Sequence, residues 1–367
     1  MSKRILITGG AGFIGSHVAR HMLALGHEVR ALDSLSEQVH ADRGRPTYLE
    51  PEVDLIVGDV RDARALERAL DDVDAVVHFA ARVGVGQSMY EIADYQAVNT
   101  YGTAALLEAL MDRPVGKLLV ASSMSIYGEG LYRAEDGRMA ETGERSRTQL
   151  ERGEWEPGGG LAPVPTPEWK RPSLASIYAL GKYDQERMCL LFGAAYGVPT
   201  VALRFFNVYG RDQALSNPYT GVLAIFASRL LNGRSPLVFE DGAQRRDFVS
   251  VHDVARACAL ALERCGADGR AVNIGSGESV SVREIAERLA RVTGKEHIEP
   301  EITGKYRVGD IRHCFADISL AERLLGFRPS ISLEDGLAEL AEWLEDQAAD
   351  DRTEDAAAEL AARGLTL

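Results

Sequence analysis

The chain has 367 residues, of which 46% are hydrophobic, 26% charged and 7% aromatic, and its 41 basic and 55 acidic residues give a formal net charge of −14. This composition excludes a single small module, a disordered chain and a disulfide-stapled scaffold. The excess of acid and the lack of a Lys/Arg-rich run argue against binding to the phosphate backbone of nucleic acids. Any anionic ligand must therefore be bound by local geometry.

The cysteines and the apolar runs indicate which cellular compartment is expected for the protein. The four cysteines are scattered, with no CxxC pair and no histidine at metal-ligand spacing: Cys189, Cys258, Cys265 and Cys314. We expect reduced thiols in a cytoplasmic protein and no bound metal. The apolar run at residues 5–7 is too short for a secretory signal. The sequence has no run of about 18 apolar residues, so it predicts no membrane span.

Short apolar runs alternate with stretches of helical period, which predicts βαβ units and a parallel sheet that is buried on both faces. In chain order, the sequence predicts strands over residues 4–8, 28–32, 54–57, 75–79, 117–122, 200–205 and 271–274. A helix over residues 13–25 follows the first strand and is closed by Gly26. The expected fold class is α/β, with a doubly wound parallel sheet of the Rossmann type.

The last two predicted strands come late in the chain, so we expect the domains to interleave. Residues 1–211, together with 247–277, are predicted to form the Rossmann domain, with an insertion at 129–172 that is either a lid or an ordered addition. A smaller C-terminal α/β lobe is predicted over 212–246 and 278–345. Its expected elements are helices at 222–231, 282–293 and 319–325 and a strand at 237–239. Residues 346–367 form an acidic tail with no visible chemistry.

A glycine-rich turn lies between the first strand and the first helix. Gly9 permits a tight turn, Gly12 allows close approach of a pyrophosphate, and Gly15 allows the helix to pack closely on the strand. Asp33 ends the second strand, where a carboxylate can hydrogen-bond a ribose 2′-hydroxyl and would repel a 2′-phosphate. The pattern therefore predicts NAD rather than NADP.

Tyr178 and Lys182 are four residues apart and would share one face of a helix. Such a pair is common on exposed helices, so alone it indicates little. Serines at 122, 123 and 125 lie at the end of the strand predicted at 117–122, and strand ends of this kind face the cofactor crevice. Together these residues predict a phenol that acts as a base, with its pKa lowered by a nearby ammonium and a cationic nicotinamide.

Ten short segments in this order carry a resemblance to a known family. They are residues 8–15, 58–60, 78–81, 99, 122–128, 178–182, 204–210, 246–254, 273–277 and 309–313. Over nearly its whole length the chain resembles the extended short-chain dehydrogenase/reductases, and among them the nucleotide-sugar epimerases and dehydratases. Segments 128–133, 163–168 and 213–222 are most similar to the dTDP-L-rhamnose 4-epimerase subgroup.

The resemblance assigns roles to individual residues. It implies that the catalytic residues are Ser123, Tyr178 and Lys182. It implies that NAD is held by Gly9, Gly12, Phe13, Ile14, Gly15, Asp33, Asp59, Val60, Phe79, Ala80, Ala81, Asn99, Tyr178, Lys182 and Phe206. It implies that the nucleotide sugar is held by Ser123, Ser125, Asn207, Arg246 and Arg307. It also implies a homodimer formed through helices near residues 99–112 and 176–195.

Two positions discriminate between reactions within this family. Dehydratases resemble ThrAspGluXaaTyrGly, and decarboxylating relatives usually carry a Glu, whereas this chain has Met124 and Ser125. Without those carboxylates, hydride removal and return remain, which favours epimerisation. The resemblance to the subgroup implies that the substrate is a dTDP-6-deoxyhexose such as dTDP-L-rhamnose, epimerised at C4. A UDP-hexose or UDP-hexuronate 4-epimerase, a 4-ketoreductase and a non-enzymatic NAD-binding scaffold are the alternatives. Some relatives have cysteine pairs in the insertion that would suit zinc; residues 129–172 have none, so no metal is expected.

Overall fold

A computed structural model describes residues 2–40, 42–307 and 309–366. The helices are α1 (Phe13–Ala24), α2 (Ala63–Ala69), α3 (Val85–Ser88), α4 (Ile92–Gln96), α5 (Gly102–Asp112), α6 (Arg147–Glu151), α7 (Ile177–Tyr196), α8 (Val222–Leu231), α9 (Val251–Glu263), α10 (Val282–Val292), α11 (Ser319–Leu325), α12 (Leu333–Leu344) and α13 (Thr353–Ala362). A π-helical turn, Ala97–Tyr101, leads into α5, and a 3₁₀ turn, Met124–Tyr127, follows β5.

The strands are β1 (Arg4–Thr8), β2 (Glu28–Asp33), β3 (Asp54–Val57), β4 (Ala75–His78), β5 (Lys117–Ser123), β6 (Leu131–Arg133), β7 (Met139–Glu141), β8 (Ala162–Val164), β9 (Thr200–Phe205), β10 (Asn207–Tyr209), β11 (Leu237–Val238), β12 (Arg245–Arg246), β13 (Phe248–Ser250), β14 (Arg270–Ile274), β15 (Val280–Ser281), β16 (Glu301–Ile302) and β17 (His313–Cys314). The seven strands predicted from the sequence are all present, each within one residue at either end.

Seven parallel strands form the main sheet in the order β14-β9-β5-β4-β1-β2-β3. One face packs on α1, α9 and α11, and the other on α2, α5 and α7. The strands are apolar runs because both faces are covered. The predicted α/β fold with a doubly wound Rossmann sheet is therefore confirmed. The carboxyl ends of β1, β4, β5 and β9 lie along one edge of this sheet, where ligands bind in such folds.

A second hydrophobic cluster lies outside the sheet and joins α8, α10 and α12. It contains Phe226, Ile285 and Leu337, each at most 1% exposed. α10 begins with a capping box, in which Ser281 and Glu284 each bond the other's backbone N–H. These helices form the smaller lobe; its boundaries with the Rossmann domain stay predictions.

The insertion at 129–172 is an ordered addition. Its strands pair antiparallel in the order β7-β6-β8, and Thr166 extends the pairing to Ala316. Thr166 and Lys170 are buried, and the Lys170 ammonium donates to the Tyr127 carbonyl at 2.5 Å. A segment with buried polar side chains that support the main body is not a free lid. Over the described residues, no helix has the length and apolarity needed to cross a membrane.

Candidate active site

The glycine turn has the geometry that a diphosphate requires. Gly9 has φ +71°, and a Cβ there would lie 2.9 Å from the Ala80 nitrogen; a Cβ on Gly15 would lie 2.3 Å from the Gly9 oxygen. Gly12 caps α1 in an extended conformation without a side-chain cap, and the first turn of α1, with Phe13 and Ile14, carries no acidic residue. The N–H groups at this helix end therefore remain available to an anion.

Asp33 lies at the end of β2 beside this turn. Its carboxylate accepts hydrogen bonds from the N–H groups of Ala11 and Leu35, both at 3.0 Å. These bonds orient the carboxylate and leave lone pairs for ribose hydroxyls, while a 2′-phosphate would meet a negative charge. The turn and Asp33 together fit NAD.

The other residues assigned to the cofactor follow β3, β4 or β9 or support the loops there. They are Asp59, Val60, Phe79, Ala80, Ala81, Asn99 and Phe206. Asp59 pairs with Arg61 at 2.6 Å, and this hydrogen bond lowers the pKa of the Asp59 carboxyl. Asn99 binds both the N–H and the C=O of Arg82, at 2.7 and 3.0 Å. Asn99 therefore supports the loop after β4; its contact with NAD stays a prediction.

Ser123 and Tyr178 come together although 55 residues separate them along the chain. Ser123 ends β5, and its hydroxyl oxygen accepts from the Ser125 hydroxyl at 2.8 Å. Tyr178 lies in the first turn of α7, which Ser176 caps by accepting from the Ala179 N–H. Burial raises the pKa of the Tyr178 phenol, and its hydrogen bond with Ser123 lowers it.

Lys182 lies one turn further along α7 and is 3% exposed. Burial lowers the pKa of its ammonium to about 7. The ammonium donates to the Gln185 side-chain oxygen at 2.7 Å, while the Gln185 nitrogen donates to the Ala80 carbonyl and to the Thr103 hydroxyl. Because a carbonyl can only accept, this contact fixes which end of the amide faces Lys182. Gln185 thus orients the ammonium.

His78 completes this buried network in a defined protonation state. Thr103 donates its hydroxyl proton to the Asn99 carbonyl at 2.6 Å, so it accepts from His78 Nε2 at 2.8 Å. His78 Nδ1 is left to accept from Thr8 at 2.7 Å. Burial, with a smaller contribution from Lys182, lowers the His78 pKa to about 3. His78 is therefore neutral and adds no positive charge beside the Lys182 ammonium.

Asn207, Arg246 and Arg307, which are also assigned to the substrate, have no hydrogen bond to one another among the described residues. Asn207 is in β10, and its buried side-chain oxygen has no hydrogen-bond partner among the described residues. Arg246 donates to the backbone carbonyls of Arg245 and Arg312 at 2.9 Å. Arg307 pairs with Asp310 at 2.9 Å. An unpartnered buried acceptor suits a ligand donor. The diphosphate roles of the two arginines stay predictions.

An ion cluster anchors the insertion to the smaller lobe. Arg145 of the insertion pairs with Glu240 at 2.8 Å, and Arg312 pairs with Glu156 of the insertion at 2.6 Å and with Glu240 at 2.9 Å. Burial would raise the Glu156 pKa, but the hydrogen bonds from Arg312 and His313 bring it below its usual value. Charge pairs thus connect this insertion to the lobe.

Sequence reasoning missed two residues at the site. Gln185 lies three residues after Lys182 and shares its helix face, so its spacing could have indicated it. The Ser88 hydroxyl accepts from the Tyr178 N–H at 3.0 Å. Ser88 is in α3, and no sequence pattern indicates this contact because the two residues are 90 positions apart.

A family model described as "NAD dependent epimerase/dehydratase family" matches residues 5–148 and 159–275. The chain belongs to this family. NAD is its cofactor. The part of the insertion at 149–158 and the chain after 275 lie outside the match.

One curated relative and two solved structures from this family resemble the chain over most of its length. The dTDP-L-rhamnose 4-epimerase of Burkholderia thailandensis is 37% identical over 93% of this chain and 95% of its own. The UDP-glucose 4-epimerase of Thermotoga maritima with UDP-glucose has a TM-score of 0.77 at 32% identity, covering 93% of this chain and 98% of its own. The Thermus thermophilus UDP-glucose 4-epimerase with NAD has a TM-score of 0.75 at 31% identity, covering 94% and 100%.

Proposed function

We propose that this protein is a nucleotide-sugar 4-epimerase that acts on a dTDP-6-deoxyhexose such as dTDP-L-rhamnose. The observation that carries the proposal is the hydrogen bond between Ser123 and Tyr178 at the carboxyl edge of the sheet, with Lys182 one turn further along α7 and Met124 and Ser125 in place of carboxylates. The 37% identity to the dTDP-L-rhamnose 4-epimerase of Burkholderia thailandensis supports this choice of reaction and substrate.

In this mechanism Tyr178, as the phenolate, removes the proton of the sugar 4-hydroxyl, which Ser123 orients by a hydrogen bond. Lowering a phenol pKa from 10 to about 7 requires roughly 4 kcal/mol of selective stabilisation of the phenolate. The Lys182 ammonium, held by Gln185, supplies part of it. NAD, when bound, would supply a positive charge that favours the phenolate and the hydride-transfer chemistry that oxidation and reduction at C4 need.

The 4-keto sugar must turn before it is reduced, so that its other face receives the hydride. Rotation about the diphosphate linkage allows this while the nucleotide stays bound by Asn207, Arg246 and Arg307 in their proposed roles. Tyr178 then returns its proton to the new alkoxide. Because the same proton and hydride are returned, the reaction has no net redox change and needs no added cofactor.

A UDP-hexose or UDP-hexuronate 4-epimerase is the second candidate, and the Thermotoga maritima enzyme with UDP-glucose, 32% identical, favours it. Both candidates use the same residues and differ in the nucleotide and in the group at C6. A 4-ketoreductase would instead consume external NADH or NADPH in proportion to its product.

The deciding experiment incubates the purified protein with a panel of dTDP- and UDP-sugars, without added cofactor, and follows stereochemistry by NMR. We expect dTDP-L-rhamnose to be converted to its C4 epimer, with little turnover of UDP-glucose. Turnover of UDP-sugars alone would support the second candidate. Reaction only with added reduced cofactor would identify a reductase and contradict the epimerase proposal.

The proposal includes a cytoplasmic homodimer. The four cysteines are free thiols, as expected in a reducing compartment. Large apolar side chains are exposed on α5 and α7: Met111, Leu180, Leu191 and Tyr196. Exposed apolar groups on two adjacent helices are typical of a self-association surface.

A further inference from the structure

The chain beyond α12 begins on the smaller lobe. The Asp350 N–H donates to the Ser216 hydroxyl at 3.0 Å. Asp351 pairs with Arg229 of α8 at 3.3 Å, and both side chains are at most 5% exposed. A buried ion pair fixes the path of the chain at this point, since either charge would be costly to bury alone.

The same segment ends on the Rossmann side of the molecule. Leu360 of α13 is 6% exposed and packs on Gly86, where an added Cβ would lie 3.3 Å from its methyl groups. The Arg363 guanidinium stacks over the Tyr90 ring at 4.3 Å from the centroid. The Tyr90 hydroxyl bonds that of Tyr219 at 2.6 Å. Aromatic, cationic and apolar contacts therefore join the tail to the loop after β4.

This loop supports the residue proposed to be the catalytic base. Gly86 is in α3, and Ser88 at the end of α3 accepts the hydrogen bond from the Tyr178 N–H. Leu360 thus packs on the same helical turn that bonds the start of α7. A shift of α13 would act on Tyr178 through a single turn of backbone.

The last described residue reaches Arg307. Thr366 forms an isolated antiparallel bridge with Arg307. Thr366 is 8% exposed, and its buried hydroxyl has no partner among the described residues. The hydroxyl of the neighbouring Tyr306 is likewise buried and unpartnered among them. Buried polar atoms without partners are rare and suit a polar ligand.

We propose that residues 350–366 are part of the nucleotide-sugar site, with Leu360, Arg363 and Thr366 as positioning residues. Leu360 and Arg363 hold the turn that supports Tyr178, and Thr366 holds Arg307. This inference rests on the proposed function and adds to it an element that the family match, which ends at residue 275, does not contain. The contacts act on binding of the nucleotide sugar more than on NAD retention.

The first test compares Arg363→Gln with Arg363→Lys and with Glu359→Gln in the same purified protein. Glu359 pairs with Arg363 on the exposed surface of α13, so its variant removes that ion pair but leaves the cation on Tyr90. We expect Arg363→Gln to raise KM for the nucleotide sugar about fivefold or more and also to lower kcat, because the turn that supports Tyr178 loses a contact. The Lys variant and the Glu359 control should stay within twofold, and all three should retain NAD.

A second variant removes the contact with Arg307 and keeps the N–H groups of Gly364 and Leu365 that bond the last turn of α13: a chain that ends at Leu365. Its KM should also rise at least fivefold, with kcat and melting temperature near those of the full chain. Unchanged KM in both this chain and Arg363→Gln would overturn the inference, and so would an equal fall in stability and activity without a KM effect.

The outcome for the full chain separates this inference from the proposed function. If the full chain epimerises none of the sugars, the proposed function fails. Calorimetric titration with dTDP and UDP then tests the inference by itself. Weaker nucleotide binding by the two variants than by the full chain supports the inference. Equal binding by all three proteins overturns it, and so does the absence of binding by the full chain.

Discussion

Tyr178 is subject to opposing influences, since burial disfavours its phenolate and Ser123 favours it. Replacing Tyr178 with Phe removes the proton acceptor and keeps the ring that fills the site. We expect kcat to fall about 10²- to 10⁴-fold, as is typical for loss of a general base. NAD should stay bound, because the glycine turn and Asp33 are unchanged. Absorbance and HPLC of the released cofactor measure this; full activity would contradict the assigned role.

Lys182 gives a prediction of pH-dependent stability. Its pKa is about 7 in the folded NAD-free protein and about 10.4 when unfolded. Between these values the unfolded chain binds the extra proton, so stability rises with pH; below pH 7 the full cost of the buried charge is present. The shift corresponds to roughly 4–5 kcal/mol, and losing the bond to Gln185 offsets about 1–3 kcal/mol.

Lys182→Met should therefore be inactive yet about 2 kcal/mol more stable than the native chain at pH 6, with the advantage shrinking toward pH 10. Urea unfolding of both NAD-free proteins at pH 6, 8 and 10 measures the difference. A constant difference across this range would show that the ammonium is not the cause. Lower stability of the variant at pH 6 would have the same meaning.

Sequence patterns indicate the proposed reacting residues more readily than the residues that support them. Tyr178 and Lys182 are recognisable because helical spacing puts them on one face. Arg246 and Arg307 carry the charge expected for a diphosphate, but the carbonyl contacts of Arg246 and the pairing of Arg307 with Asp310 depend on loops that meet only in the fold. Ser88 belongs to the same class of long-range contacts.

At the scale of elements, the ion cluster of the insertion gives a stability prediction. Arg312 and Glu240 are each 1% exposed, and Arg312→Ala leaves the Glu240 carboxylate with one fewer cation in a buried setting. We expect a loss of about 3–5 kcal/mol in the free energy of unfolding. The control is Arg328→Ala, whose exposed pair with Glu322 should contribute about 1 kcal/mol or less. Equal losses in chemical denaturation would contradict the cluster's role.

The parallel strands and the insertion differ in how far sequence could predict them. Strands such as β5 and β9 are buried on both faces and appear as continuous apolar runs, so their bounds follow from the sequence. The three-residue strands β6, β7 and β8 have no period long enough to detect, and they exist because Thr166 and the charge cluster hold them. Tertiary contact rather than local pattern forms the insertion.

At the scale of the whole molecule, the smaller lobe and the Rossmann sheet are joined on two sides. The insertion connects them through Glu156 and Arg312, and the tail connects them through Asp351 and Arg363. Both connections end near residues assigned to the substrate. In the proposed function, a substrate that contacts both lobes would bind to a frame whose spacing these two segments set.

The proposed dimer is the last feature at this scale. Leu191 and Tyr196 of α7 are 59% and 57% exposed, and Met111 of α5 is 46% exposed. If a second copy covers this face, Leu191→Glu buries an unpaired carboxylate at the contact, which costs several kcal/mol and should convert a dimer at micromolar concentration into a monomer. The control is Val292→Glu on α10, an exposed apolar residue away from these helices. Sedimentation velocity of the native chain and the two variants measures their oligomeric state. A monomeric native chain would refute this interface, and so would a dimer that Leu191→Glu leaves intact.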